Sequence, residues 1–321
     1  MTVQEVSRTE ISSEDIARFR ENGFVRLRNV LTPAAVERLR SAMAQALETF
    51  GASPSSYDVT AMADALWSDE TEYDTGGSRQ HDLSAFATAI RTAGHPRLLD
   101  TPSSPAPGGR FLVDTSIWRR IELLADFALH GPLPKIASAL LDIGRVRYYD
   151  DQLFVKEPGT ADRAAFHQDL PYFNLDGDRG CVVWIPLDSV RKGSGTLAYI
   201  PRSHKWGLFN ANVFMSRAAF PGSDGRDLPD IDGDPAAFGA VQVEAEPGDV
   251  IVHHFLTVHG SEGNLSRHNR RAFSLRYCDA DIRYLRRAGA PTQPLHRQDL
   301  NDGDALDDAL HPIVWPPEQK A

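Results

Sequence analysis

Two side chains capable of metal chemistry stand one residue apart in the run Phe166-His167-Gln168-Asp169, between the β-prone stretches Asp151–Lys156 and Cys181–Asp188. In a strand, positions i and i+2 point to the same face, so the His167 imidazole and the Asp169 carboxylate would aim at one point. Those two ligands make two thirds of a facial metal site. A third ligand must come from elsewhere in the chain.

Eleven histidines are present, so spacing has to select among them. Pro247-Gly-Asp249 reads as a turn into a strand running from Val250 toward His259, after which Gly260 to Asn269 reads as a loop. His259, at the end of that run, is the candidate third ligand. His253 and His254, inside the same run, compete with it, although a sheet can bury either as a satisfied core histidine. The next strand opens at Arg270. If the two strands pair antiparallel, Arg270 lies beside His259, where its guanidinium can clamp a carboxylate through two hydrogen bonds. Arg276 shares a strand face with Arg270 by period 2 and is its rival.

These residues, with their surroundings, resemble the phytanoyl-CoA dioxygenase family of iron- and 2-oxoglutarate-dependent oxygenases. The resemblance runs from about Ile11 to Ala280. It is carried by Asp151 to Gly159, His167-Gln-Asp169, Val183-Trp-Ile-Pro-Leu187, Ile200 to Gly207, and His259-Gly-Ser261 followed by Asn264 and by Arg270, eleven residues after His259. It implies a mainly β fold with flanking helices, a cupin-like jelly roll or double-stranded β-helix, in which His167, Asp169 and His259 hold Fe(II). It further implies that Arg270 binds the far carboxylate of 2-oxoglutarate with help from Ser261, and that Trp184 and Gln152 line the cosubstrate pocket. The implied reaction consumes O2, releases succinate and carbon dioxide, and hydroxylates an unactivated C–H bond of a small molecule. Desaturation, epoxidation, epimerisation and rearrangement are alternative outcomes of the same iron chemistry. Relatives that halogenate lack the carboxylate, so Asp169 favours oxygenation. A non-catalytic jelly-roll binding protein, or a structural zinc site, is the reading from another class. Structural zinc usually takes four ligands, often thiolates, and no cysteine lies near the three in sequence.

The elements that must position this site follow in order. Ser12 or Ser13 caps a helix that Gly23 ends, and Phe24–Asn29 alternates as a strand. Thr32-Pro33 opens an amphipathic helix with Val36, Leu39, Met43 and Leu47 on its buried stripe, stopped by Gly51. From Ala52 to Gly109 acids, Ser, Gly and Pro dominate, which reads as a lid or a disordered insertion. Helices are expected at Trp118–His130 and Leu133–Leu141. Strands are expected at Val146–Lys156, Cys181–Asp188, Thr196–Ile200, Val241–Glu244, Val250–His254 and Arg271–Cys278. Many strands with Gly/Pro turns indicate a sandwich or barrel. Asn210–Phe238 is a second lid candidate, and Tyr172, Phe173 and Trp206 are candidate pocket walls. The tail beyond Asp281 reads as irregular, with Arg283, Arg286 and Arg287 on a solvated face. A helical front (about 11–141), a β core (about 146–280) and the tail (281–321) are read as one domain.

Bulk properties exclude some functions. The net charge of −10 argues against nucleic acid and offers no clear basic groove for the phosphates of an acyl-CoA, which favours a small metabolite as substrate. No apolar run has the length of a membrane span, and residues 1–6 do not read as a signal peptide. The two cysteines, Cys181 and Cys278, fall in expected strands, which indicates a reducing, cytoplasmic setting without disulfides. Oligomeric state is not legible.

Overall fold

The computed structural model describes residues 10–67, 72–74, 80–82 and 108–317. Its framework is a pair of antiparallel sheets. The larger has the order β1-β12-β9-β14-β6-β5-β2, with β16 also pairing β6. These are β1 (Phe24–Leu27), β2 (Tyr57–Asp58), β5 (Phe111–Thr115), β6 (Val146–Lys156), β9 (Gly180–Pro186), β12 (Val250–His254), β14 (Arg270–Asp279) and β16 (Ile313–Trp315). The smaller has the order β11-β10-β13-β7, from β7 (Ala164–His167), β10 (Leu197–Tyr199), β11 (Val241–Val243) and β13 (His259–Ser261). Two short pairs complete the set: β3 (Glu72–Asp74) with β4 (Gln80–Asp82), and β8 (Leu175–Asp176) with β15 (Arg283–Tyr284). The two main sheets form the expected jelly roll.

Helices cover the outer face of the large sheet. Ser12 caps helix Ser13–Asn22 by accepting a hydrogen bond from the Asp15 amide at 3.1 Å, and Gly23 ends it in the left-handed region at φ +84°. Thr32 caps helix Pro33–Glu48, where Val36, Leu39 and Met43 are buried and Leu47 is half-buried. Helices Glu122–His130 and Leu133–Leu141 join them over Phe273, Leu275 and Tyr277 of β14. The opposite face of β14 carries Arg270, Ser274 and Arg276, which line a cavity between the sheets. Strand alternation thus separates a dry core from a polar-lined interior on a single element. The first motif residue, Asp151, belongs to the core side. Its buried carboxylate accepts from the amides of Ile117 (2.7 Å) and Trp118 (3.0 Å) and from the Tyr148 hydroxyl (3.0 Å), anchoring the turn that leads into the helices.

Several expectations need correction. Regular structure precedes the first helix expected after the insertion, at Trp118, because β5 is a largely buried, mostly apolar strand. The Ala52–Gly109 segment also contains helix Val59–Trp67, whose Val59 and Met62 reach the cavity. Residues 68–71, 75–79 and 83–107 of that segment lie outside the described residues. The tail is not a solvated appendage: β16 pairs with β6, His311 stacks on Tyr149 at 5.1 Å, and the His296 Nε2 lies 2.9 Å from the buried Asp150 carboxylate. Arg287 is half-buried and donates to the Phe173 carbonyl at 3.1 Å, so only Arg283 and Arg286 fit the solvated face. Both cysteines are buried and unpaired. No described helix is long and apolar enough to cross a membrane.

Candidate metal centre

His167 closes β7, and His259 opens β13 directly opposite it in the antiparallel register. Asp169 lies just beyond β7, in helical backbone conformation (φ −80°, ψ −40°), so it meets His167 through a turn rather than along a strand face. Its amide and that of Leu170 both donate to the Phe255 carbonyl at 3.0 Å, which fixes this turn against the strand crossover. Candidate ligand atoms of His167, Asp169 and His259 all lie within 4.8 Å of one another, and all three residues are buried. Gln168 points away and ties down the neighbouring loop, donating to the Gly207 and Leu256 carbonyls and accepting from the Phe209 amide.

The backbone carbonyls beside the imidazoles decide what they can do. The His167 Nδ1 lies 2.7 Å from the Ala165 carbonyl and the His259 Nδ1 lies 3.0 Å from the Thr257 carbonyl. A carbonyl only accepts, so both Nδ1 atoms carry the proton and both Nε2 lone pairs are free. Burial holds each imidazole down to about 4, so both are neutral at pH 7, with a lone pair available to a metal. Asp169 is held below the ordinary carboxylate range, against the opposing effect of its own burial, by His259, His253 and His167. His253 is the satisfied core histidine that competed for the ligand role. Its Nε2 donates to Asp169 Oδ2 at 2.9 Å while its Nδ1 accepts from the Tyr199 hydroxyl at 3.1 Å. His254 is half-buried and contacts neither carboxylate nor ligand histidine in the same way. His253→Ala should therefore weaken metal affinity by about 10–100-fold through a loosened Asp169. A metal titration checks this, and an unchanged affinity would refute the positioning role.

Burial of these imidazoles also predicts a pH dependence. His167, His259 and His311 all have folded values near 4, against 6.5 for the free side chain. Below 6.5 the unfolded chain binds protons that the folded chain refuses, so stability falls as pH falls from 6.5 toward 4. The loss at pH 5 should be ~2 kcal/mol per histidine. Denaturant titrations of the metal-free protein at pH 7.5 and 5 measure it, and a flat profile would contradict the burial.

The structure corrects the strand geometry around the third ligand. Val250 to His259 is not one strand. β12 ends at His254, residues 255–258 cross between the sheets, and His259 begins β13. β14 pairs with β6 and β9, not with β13, so Arg270 is not the cross-strand neighbour of His259. It faces the centre from the opposing sheet. Both line one cavity of about 890 Å³.

Arg270 is 2% exposed. Among the described residues its guanidinium has neither an ion pair nor a hydrogen bond; it lies over Trp184 at 5.8 Å, and its Nε is buried without a partner. Burial lowers it to about 10, which leaves it cationic at neutral pH. Beside it the buried Lys156 donates to the Ser261 hydroxyl at 2.9 Å and to the Glu262 carbonyl at 2.6 Å. Gly195, at φ +77°, passes so close that a Cβ there would stand 2.9 Å from Arg270 Nε and 3.2 Å from the Lys156 side chain. Only glycine lets the chain cradle this basic pair. Asn264 closes the loop, donating to the carbonyls of Lys156 and His268. Ser261, Trp184, Gln152, Tyr172 and Phe173 all line the cavity, as do Phe214 and Phe220 of the second insertion. Trp206 does not; it is 36% exposed in a surface turn. Lys156 and the tail residues Pro291–Pro294 were not legible as part of the site, and His253, weighed as a rival ligand, holds Asp169 instead.

The phytanoyl-CoA dioxygenase family model matches residues 19–272, which is most of the chain and includes every residue discussed for the centre except those of the tail. The chain belongs to this family. A probable phytanoyl-CoA dioxygenase of Caenorhabditis elegans is 28% identical over 135 residues, 41% of this chain and 42% of the relative, so that alignment spans less than half of either protein. A phytanoyl-CoA dioxygenase domain-containing protein 1 of Danio rerio is 23% identical over 84% of this chain and 91% of its own. Among solved structures, the non-haem α-ketoglutarate-dependent carbocyclase SnoK of nogalamycin biosynthesis superposes with a TM-score of 0.64 at 23% identity, covering 95% of this chain and 97% of that one. The epimerase SnoN, solved with Fe3+, α-ketoglutarate and a nogalamycin compound, gives 0.63 at 18% identity over 94% and 97%. Both share the jelly roll of this family member.

Proposed function

We propose that this protein is an Fe(II)- and 2-oxoglutarate-dependent oxygenase acting on a small molecule. The observation that carries the reading is the buried Arg270, with no ion pair or side-chain hydrogen bond among the described residues, across a cavity from two neutral histidines and a carboxylate. A buried unpaired guanidinium is strongly unfavourable unless an anionic ligand completes it. 2-Oxoglutarate suits the arrangement, because its keto-acid end can chelate a metal while its far carboxylate reaches a cation. The donor set fits iron: two imidazole Nε2 atoms and one carboxylate on one side leave positions open opposite. When bound, iron would supply oxygen activation coupled to decarboxylation of 2-oxoglutarate, yielding succinate.

This chain's own residues do the rest. His167, Asp169 and His259 hold the metal, and His253 with Tyr199 orients the carboxylate. Arg270 and the Ser261 hydroxyl, itself held by Lys156, bind the far carboxylate, with Trp184 beneath the guanidinium. Gln152 lies farther along the same wall. Phe214, Phe220 and Tyr172 exclude water from the space above the centre. The family relatives and the structural neighbours named for α-ketoglutarate chemistry support this reading, and hydroxylation is the outcome we propose. The helical front, the β core and the tail all contribute cavity lining, which supports one folding unit. The two unpaired cysteines support a cytoplasmic setting.

Anaerobic titration of the Fe(II)-loaded protein with 2-oxoglutarate tests the proposal. A visible charge-transfer band, saturating at micromolar to millimolar cosubstrate, is expected. Stoichiometric iron binding with no band and no heat of binding at millimolar 2-oxoglutarate would leave a metal-binding jelly roll instead.

A further inference from the structure

A second buried guanidinium faces the same cavity. Arg276 lies on the cavity face of β14, six residues beyond Arg270, and is 6% exposed. It donates to the Gln152 amide oxygen and lies over the Phe173 ring at 5.1 Å, while its Nε is buried without a partner. Among the described residues it has no ion pair. The nearest acid by register, Asp150, feels the Arg276 charge but makes no ion pair with it; its carboxylate accepts from the Ser116 hydroxyl, the Asp151 amide and His296.

No acid among the described residues is in ion-pair contact with this guanidinium, and the metal centre leaves none for it. Iron(II), the Asp169 carboxylate, doubly ionised 2-oxoglutarate and the Arg270 guanidinium sum to zero formal charge, and Lys156 beside Arg270, pushed toward its neutral form by burial and by the Arg270 charge, brings no anion. The cosubstrate therefore has no further anion for Arg276. A cation this deeply buried needs a counter-ion, and a guanidinium suits a carboxylate. The remaining cavity sets the rest of the ligand. It is walled by Phe111, Phe154, Phe214 and Phe220, a surface for a bulky apolar or aromatic body, and its volume exceeds what 2-oxoglutarate fills. Gln293 and Gln298 of the docked tail also line this cavity, adding polar groups to its wall.

We infer that Arg276, with Gln152 beside it, is the anchor for the primary substrate, and that this substrate is a small molecule with a large apolar body and a carboxylate head. Arg276 thus fixes which carbon of the substrate faces the metal. The inference rests on the oxygenase reading, and its test separates the two.

Anthraquinone-2-carboxylate and its primary amide serve as probes. Each is titrated anaerobically into Fe(II)-loaded protein with 2-oxoglutarate saturating, so that the metal and Arg270 are occupied. The wild type should bind the carboxylate at least ~10-fold more tightly than the amide, about 1.4 kcal/mol. Arg276→Gln should abolish that preference while leaving 2-oxoglutarate affinity within about 2-fold. Arg276→Lys should retain part of it, and Gln152→Glu, which supplies an internal anion, should abolish it with the arginine still present. No preference in the wild type, no binding of either probe at millimolar concentration, or a preference that survives Arg276→Gln would overturn the inference. A large loss of 2-oxoglutarate binding in Arg276→Gln would overturn it too, because Arg276 would then belong to the cosubstrate. Failure of the wild type to bind 2-oxoglutarate at all would instead sink the oxygenase reading.

Discussion

Replacing His259 with alanine should abolish stoichiometric Fe(II) binding and cut succinate formation by at least about 10³-fold, ~4 kcal/mol in activation free energy. In the proposed centre the imidazole supplies one of three protein ligands, and among the described residues no other histidine is placed to replace it. His253 is the nearest, but its two nitrogens are committed to Asp169 and Tyr199. The backbone should tolerate the change, because β13 is held between β10 and β7 by main-chain pairing rather than by this side chain. Circular dichroism and a metal titration separate loss of ligand from loss of fold. A folded His259→Ala protein that keeps its iron and its activity would show that the metal sits elsewhere.

The second large effect is expected at Arg270. Arg270→Ala should weaken 2-oxoglutarate binding by about 10²–10³-fold, 3–4 kcal/mol, the range seen when one partner of a buried charge pair is removed. Iron affinity should change by no more than a few-fold, since Arg270 stands on the opposing sheet and touches no ligand. Arg270→Lys should recover little, because a lysine cannot reproduce the two parallel hydrogen bonds of a guanidinium. The comparison with Arg276→Ala is decisive. If that variant loses 2-oxoglutarate while Arg270→Ala keeps it, the roles assigned to the two arginines are reversed.

The site was legible in sequence where local rules act, and not where the chain changes sheets. Ser12, Thr32 and Gly23 marked helix ends because caps are local chemistry. Val146–Lys156 and Val250–His254 were read to the residue because apolar runs bounded by turn residues carry their own signal. His167, Asp169 and His259 came together as expected, yet for reasons the sequence does not display. Asp169 arrives through a helical turn, and His259 arrives after residues 255–258 cross between sheets. Period 2 is blind to such a crossing, since apolar residues continue straight through it. Arg270 was likewise found by spacing while its pairing was misread, because β13 and β14 belong to different sheets.

What stayed hidden is tertiary. Nothing local distinguishes His253, bonded to the metal-site carboxylate, from His254 beside it. Lys156 gave no sign that it would be wholly buried next to another cation. The tail beyond Asp281 is polar in composition, and its docking rests on a few contacts with β6, such as His311 on Tyr149 and the ion pair of Arg147 with Asp308 at 2.5 Å. Trp206 shows the reverse error: a large aromatic in a family motif that nonetheless faces solvent.

One measurement bears most directly on the account. Purified protein is supplied with Fe(II), ascorbate, 2-oxoglutarate and oxygen, and succinate is quantified against metal-free, chelator-treated and Arg270→Ala controls. The structure predicts slow succinate release in the wild type alone, faster when a carboxylate-bearing apolar substrate fills the cavity. Iron bound at the centre, with succinate no higher than in the Arg270→Ala control and no 2-oxoglutarate bound at millimolar concentration, would contradict it.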